Sequence, residues 1–135
     1  MTQSTSSKNN DDTTQLVKIS VNTEYLEQHS QPDQQRYVFA YHISIENCGN
    51  ETITLLRRHW IITDSNDKTQ EVSGEGVVGE QPTLAPGDVY QYSSGSLFET
   101  PVGFMQGHYQ IMTDTNECFD ATIPLFRLAV PNSLH

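Results

Sequence analysis

Three glycines in the segment SGEGVVGEQP have the spacing of a dinucleotide-binding motif. Gly74, Gly76 and Gly79 follow the pattern G-x-G-x-x-G, in which the glycine backbone approaches a pyrophosphate and the next helix points its N-terminus at the negative charge. That chemistry requires a helix directly after the glycines. Pro82 and Pro86 remove two backbone donors in the residues that follow. The sequence therefore excludes a dinucleotide-binding helix at this point.

A turn of consecutive backbone N–H groups can hold a pyrophosphate without any helix. Glu75 and Glu80 would each repel such a ligand by about 1 kcal/mol at ~4 Å in a watery site. Two other interpretations are open. In the first, which these residues favour, the glycines supply positive φ angles while Val77 and Val78 pack into the core. In the second, the segment contacts a protein partner.

The segment RRHW is a second candidate, because arginine and tryptophan are common anchors of protein interfaces. Trp60 suits the core of a β-sandwich. Arg57 and Arg58 alternate in direction along a strand, so at least one of them should face solvent. We predict that Arg57 or Arg58 either supports a phosphate at the glycines or contacts a protein partner.

The five histidines show no metal-binding spacing. Adjacent strands can bring two of them together with Asp64 or Glu99, and the candidates are His42, His59 and His108. The sequence predicts neither specific metal ligands nor a cofactor. No G-x-S-x-G motif surrounds a serine, and neither cysteine has an evident histidine partner, so we predict no enzyme activity.

Alternation of apolar and polar residues dominates the chain and predicts β-strands. VKISVNTEY and RYVFAYHISIEN predict the first two strands, the second of them central because both its faces carry apolar groups. TITLLRRHWIIT changes parity, which predicts a bulge near Arg57, and residues 59–72 are expected to form a hairpin. Pro124 in the last strand indicates an edge or a bulge.

About seven strands separated by turn signals predict an all-β fold, since no segment has a helical period flanked by caps. The expected architecture is an immunoglobulin-like, fibronectin type III-like antiparallel β-sandwich. We expect one domain over residues 16–135. A disordered polar tail is expected at residues 1–15, where Met1 is the single apolar side chain.

The charge balance limits the classes of partner. Seven Lys and Arg residues stand against seventeen Asp and Glu, and the formal net charge of -10 repels nucleic acids and anionic membrane surfaces. No apolar run is long enough to span a bilayer, and no signal-peptide pattern opens the chain. We predict a cytoplasmic protein with no nucleic-acid partner and no membrane insertion, in which Cys48 and Cys118 are reduced thiols.

Several long blocks together resemble the bacterial ApaG family over nearly all of residues 17–135. They are QRYVFAYHISIEN, LLRRHWIITD, GEGVVGEQPTLAPGDVYQYSSGSLFETPVGFMQGHY and IPLFRLAVPNSLH. The resemblance implies the same sandwich fold, a genetic association with cobalt and magnesium efflux or tolerance, and no established enzymatic activity. Related domains occur in F-box proteins and in a polymerase delta-interacting protein, which implies an interaction module. The glycine motif of the family has been likened to a pyrophosphate-binding loop, and in this sequence it would fall on Gly74, Gly76 and Gly79.

Three functions follow as hypotheses. The first is a cytosolic module that binds a protein partner, and the second is a domain that binds pyrophosphate or a nucleotide polyphosphate such as diadenosine tetraphosphate. The third is a sensor of divalent cations. Free edges of the sandwich allow a monomer or a weak dimer.

Overall fold

The computed structural model describes residues 16–132, which form two antiparallel β-sheets packed face to face. The strands are β1 (Val17–Tyr25), β2 (Tyr37–Asn47), β3 (Ile53–Asp64), β4 (Thr69–Glu75), β5 (Thr83–Leu84), β6 (Val89–Phe98), β7 (Val102–Thr113) and β8 (Cys118–Ala129). One sheet has the order β1-β2-β6, and the other has the order β4-β3-β7-β8 with β5 also paired to β3. The predicted all-β, fibronectin type III-like sandwich is confirmed. The tail predicted at residues 1–15 lies outside the described residues.

The strand count differs slightly from the predicted seven, because β5 is a two-residue strand that the alternation pattern did not indicate. β2 lies between β1 and β6, as its two apolar faces predicted. The polar connection that follows β1 contains two 3-10 helices, Glu27–His29 and Pro32–Gln34. No helix within residues 16–132 is long and apolar enough to cross a membrane.

Trp60 occupies the centre of the core, as predicted, and is only 3% exposed. Its indole packs edge-on against Tyr41 of the opposite sheet, with ring centroids 5.6 Å apart. Phe126 of β8 and Tyr109 of β7 approach the same indole from within the larger sheet, at 5.9 and 6.4 Å. Edge-to-face packing of this kind adds to the free energy gained by burial. One tryptophan therefore joins the two sheets.

Both predicted irregularities of the strands are present. The pairing of β3 with β7 shifts between Leu55 and Arg57, which leaves Leu56 as an extra, bulged residue. β3 pairs with β4 as the expected hairpin, although the ladder reaches Glu75, three residues beyond the predicted end. Pro124 lies in the edge strand β8 where its pairing with β7 also shifts, so the proline marks both an edge and a bulge.

A pair of tyrosine hydroxyls connects the two sheets near one side of the sandwich. Tyr92 belongs to β6 and Tyr109 to β7, and their hydroxyl oxygens lie 2.5 Å apart. Burial raises the pKa of both phenols above the usual value. The pair is therefore neutral in the folded protein, and its hydrogen bond persists at any pH near neutrality.

This pair predicts a loss of stability in alkaline solution. Above about pH 10 an unfolded tyrosine releases its proton while the folded pair retains it, so the free energy of unfolding falls by up to about 1.4 kcal/mol per pH unit per tyrosine. We expect the double variant Tyr92→Phe, Tyr109→Phe to lose most of this dependence. Urea denaturation between about pH 9 and 11 measures it. An unchanged slope in the double variant would contradict this role.

Candidate functional site

The three glycines lie where the edge of the larger sheet is interrupted. Gly74 is inside β4, whereas Gly76 and Gly79 belong to a tight turn and have φ angles of 64° and 83°. The chain then returns as β5, which pairs with the beginning of β3. We call residues 74–82 the glycine loop. No helix follows it, in agreement with the prediction from the prolines.

The bulge of β3 anchors the glycine loop. The Leu56 carbonyl oxygen accepts the Gly76 N–H at 2.5 Å and the Gln81 side-chain amide at 3.0 Å. The Leu55 N–H donates to the Pro82 carbonyl at 3.0 Å. Because the bulged residue turns its carbonyl to the sheet edge, both ends of the loop are fixed to one point of β3.

Inside the loop, the backbone is closed on itself. The Val77 N–H donates to the Glu80 carbonyl at 2.6 Å, and the Glu80 N–H donates to the Val77 carbonyl at 3.1 Å. The N–H groups of Gly76, Val77 and Glu80 are thus used within the protein. Within residues 16–132, the N–H groups of Val78 and Gly79 make no hydrogen bond. An anion at this turn would find two adjacent donors.

The two valines of the loop have opposite environments, which corrects the prediction that both pack into the core. Val77 is fully buried, but Val78 is 54% exposed and has a φ angle of 50°. The bridge between Val77 and Glu80 reverses the chain within a few residues, so consecutive side chains point to opposite sides. The sequence alone did not indicate which valine would face solvent.

Arg58 holds the glycine loop from the side. Its guanidinium donates to the carbonyl oxygens of Glu75 at 3.1 Å and Gly76 at 3.3 Å. A side chain at Gly74 would meet the same guanidinium at 2.9 Å. Arg57 is exposed, as expected of at least one of the pair, and makes no ion pair within the described residues. Arg58 is therefore used by the fold, and Arg57 is the arginine that faces solvent.

Glu80 links the glycine loop to the other sheet. The Tyr90 hydroxyl on β6 donates to the Glu80 carboxylate at 3.3 Å. Burial, followed by the charge of Glu80, raises the pKa of Tyr90. The tyrosine keeps its proton and remains a donor, so the loop is held from β3, from Arg58 and from β6 together.

Two of the candidate histidines meet on the outer face of the larger sheet. The rings of His59 and His108 stack with centroids 5.2 Å apart. His59 contacts the Ser73 hydroxyl at 2.7 Å and the Glu71 carboxylate at 3.4 Å. The His108 ring lies 3.9 Å from the Asp120 carboxylate. The predicted pairing of two histidines is confirmed for His59 and His108.

The prediction that Asp64 or Glu99 would join these histidines was wrong. Asp64 is buried in the β3–β4 turn and accepts backbone N–H groups there, whereas Glu99 pairs with Lys68 at 3.0 Å. His42 lies in the smaller sheet beside Glu24. Within residues 16–132, no group of three or more His, Cys, Asp or Glu side chains is placed to hold a metal ion. Cys48 and Cys118 are exposed free thiols, as expected.

The glycine loop predicts a sharp difference between two glycine substitutions. A Cβ at Gly76 would lie 2.1 Å from the Glu80 carbonyl oxygen, whereas a Cβ at Gly79 would meet nothing within 4 Å. We expect Gly76→Ala to lower the free energy of unfolding by on the order of 3 kcal/mol, from overlap and positive φ together, and Gly79→Ala by about 1 kcal/mol from φ alone. Urea denaturation of both variants measures the difference, and equal losses would contradict the described geometry of the turn.

Comparison with known proteins gives the chain its family. A family model described as the ApaG domain matches residues 27–113. Proteins named ApaG from Thiobacillus denitrificans and Escherichia coli are 56% and 51% identical over 119 residues, which are 88% of this chain and 94% and 95% of those proteins.

Solved structures agree with the sequence relatives. A crystal structure described as an ApaA protein from Bordetella pertussis has a TM-score of 0.85 and 44% identity, and the match covers 87% of this chain and 95% of that one. A protein from Archaeoglobus fulgidus, 9% identical with a TM-score of 0.52, shares the fold alone over 82% of this chain and 95% of its own. The resemblance found in the sequence blocks is thereby confirmed: the chain belongs to the ApaG family.

Proposed function

We propose that this protein is a non-catalytic cytosolic interaction module, and that the glycine loop presents Val78 to a protein partner. The observation that carries the proposal is the state of this one residue. Val78 is a β-branched residue with a φ angle of 50°, and its side chain is 54% exposed. Positive φ is a true outlier for a β-branched residue. The side chain gains little from burial in return for that strain.

Strain of this kind costs about 1 to 3 kcal/mol and concentrates at functional sites, where the surrounding structure imposes it. Here the neighbouring strands and side chains impose the conformation of the glycine loop. The hydrogen bonds of Leu56, Arg58 and Tyr90 hold the loop on three sides. A loop fixed in advance loses little conformational entropy on binding, so an exposed apolar tip on a rigid base suits a protein contact.

The charges around Val78 indicate the kind of partner. Glu75 and Glu80 flank the tip, and the whole chain carries a formal charge of -10. A partner surface with an apolar depression and a basic rim complements this arrangement. The association with cobalt and magnesium tolerance is inherited from the family, and we propose it as the biological setting of the interaction.

A second candidate function is binding of pyrophosphate or a nucleotide polyphosphate. The adjacent N–H groups of Val78 and Gly79 favour it, because within residues 16–132 the protein uses neither of them in a hydrogen bond. The carboxylates of Glu75 and Glu80 oppose it. Arg58, one of the two supporting arginines, already donates to loop carbonyls.

The interaction proposal predicts opposite effects of one substitution on stability and on binding. Asparagine tolerates positive φ better than valine, so Val78→Asn should raise the free energy of unfolding by about 1 kcal/mol while weakening partner capture from native lysate. Leu125→Asn is the matched control, since Leu125 is an exposed side chain on β8, 56% accessible. A partner retained equally by both variants, or a destabilised Val78→Asn protein, would count against the proposal.

The pyrophosphate alternative predicts a gain of affinity when Glu80 is neutralised. Titration calorimetry with pyrophosphate and with diadenosine tetraphosphate, each with and without cobalt or magnesium, should give a Kd below about 1 mM that tightens about five-fold in Glu80→Gln. Glu117→Gln, at an exposed position between β7 and β8, is the control. Weaker binding, or no response to Glu80→Gln, would remove this candidate.

A further inference from the structure

The strand β6 is an edge strand with an unusual composition. It pairs with β2 on one side, and within residues 16–132 its backbone makes no hydrogen bond on the other side. Its ten residues, VYQYSSGSLF, contain no charged side chain and no proline. The unpaired N–H and C=O groups of such an edge are a template for pairing with another strand. Natural proteins usually block this pairing with charges, prolines or bulges, and β6 has none of the first two.

The edge strands β1, β4 and β8 carry such protection. β1 contains Lys18 and Glu24, and β4 contains Glu71 and Glu75. β8 is interrupted by the bulge at Pro124. Since the chain as a whole is rich in acidic residues, a neutral ten-residue edge is a local exception. The contrast between β6 and the protected edges indicates that β6 is available for pairing with another strand.

A cleft continues the open edge at one end. It has a volume of about 210 Å³ and lies between the end of β6 and the β3–β4 hairpin. Ile62, Leu97 and Phe98 form the apolar part of its lining, and the rest is polar or charged, from Asp64, Lys68, Gln70 and Glu99. Leu97 is 50% exposed, as is Val89 at the other end of the strand. A strand added to β6 therefore finds an exposed apolar side chain at each end, and at the Leu97 end a cleft whose lining is part apolar and part charged.

We propose that β6 binds an extended segment of a partner protein as an additional antiparallel strand, and that basic residues flank a neutral stretch of that segment. Strand addition supplies affinity through main-chain hydrogen bonds and specificity through alternate side chains. Asp88 and Glu99 directly precede and follow β6, so basic side chains at the two ends of the segment complement them. Glu99 also pairs with Lys68, but this ion pair is exposed to solvent and contributes little. It therefore competes only weakly with a basic side chain of the bound segment.

The same two carboxylates argue against a second copy of this chain as the occupant. Antiparallel pairing of β6 with itself, in register, places Asp88 of one copy opposite Glu99 of the other at both ends of the ladder. Like charges directly opposite each other destabilise a strand pair. The net charge of -10 on each copy adds a further repulsion.

The inference rests on the proposed function, since it names where the partner's segment lies, and it is tested with two displayed peptide libraries. Each has ten random residues, flanked by lysine pairs in one library and by glutamate pairs in the other. We expect the full-length chain to enrich binders from the lysine-flanked library. On binding, alternate amides of β6 should exchange with solvent at least about ten-fold more slowly, as measured by NMR.

Matched variants separate the edge from general charge effects. Gln91→Lys with Leu97→Lys changes two exposed positions on β6, and should weaken the selected peptides at least about ten-fold. Gln106→Lys with Leu125→Lys makes the same exchange of residue types at exposed positions of the other sheet. The control variant should bind within about two-fold of the parent chain.

Several outcomes overturn the edge proposal. Binders that shift signals of the glycine loop but not of β6 would overturn it and leave the interaction module standing. Equal enrichment from both libraries, or from neither, would also overturn it, while the Val78→Asn capture experiment judges the proposed function separately. In the free chain, slow exchange of the alternate β6 amides that do not pair with β2 would show that the edge is already covered. The cover is a second copy if the slow exchange disappears on dilution, and a segment of the same chain if it does not.

Discussion

A single backbone carbonyl, that of the bulged residue Leu56, organises the side of the sandwich on which the candidate surfaces lie. An unbroken β3 would pair with one continuous edge strand, and every β3 carbonyl that faces that edge would be used in the ladder. The bulge instead turns the Leu56 carbonyl toward two donors, the Gly76 N–H and the Gln81 amide. The edge strand is thereby divided into β4 and β5, and the glycine loop connects them.

The division of that edge also explains why β6 is open. β5 is paired with β3, so it does not continue the smaller sheet beside β6. The buried side chain of Asn47, at the end of β2, donates to the Leu84 carbonyl at 2.9 Å and so ties β5 to the smaller sheet as well. The glycine loop and the β6 edge are connected through the hydrogen bond between Tyr90 and Glu80. The two proposed binding surfaces, the glycine loop and the β6 edge, therefore both depend on how β4 and β5 pair with β3.

The glycine motif differs chemically from a dinucleotide-binding loop, because its backbone groups are largely bound within the protein. In a dinucleotide-binding fold, glycines bring free N–H groups and a helix terminus to a phosphate. In this protein, three N–H groups of the loop are used by the protein itself, and Arg58 binds loop carbonyls. The glycines make the close turn that the bulge requires. Gly76 has the strictest position, because the Glu80 carbonyl occupies the space of its missing side chain.

The amino-acid sequence by itself determined every strand except β5, together with the bulge near Arg57, the irregularity at Pro124 and the place of Trp60 in the core. Each of these depends on local alternation or on one residue's backbone chemistry. The family followed from long blocks of sequence, and the absence of a helix after the glycines followed from Pro82 and Pro86. Only the tertiary structure decided which valine faces solvent, which arginine binds the loop and which carboxylates meet His59 and His108. Those contacts depend on the pairing register and on which sheet β5 joins, and alternation along one strand carries no information about either.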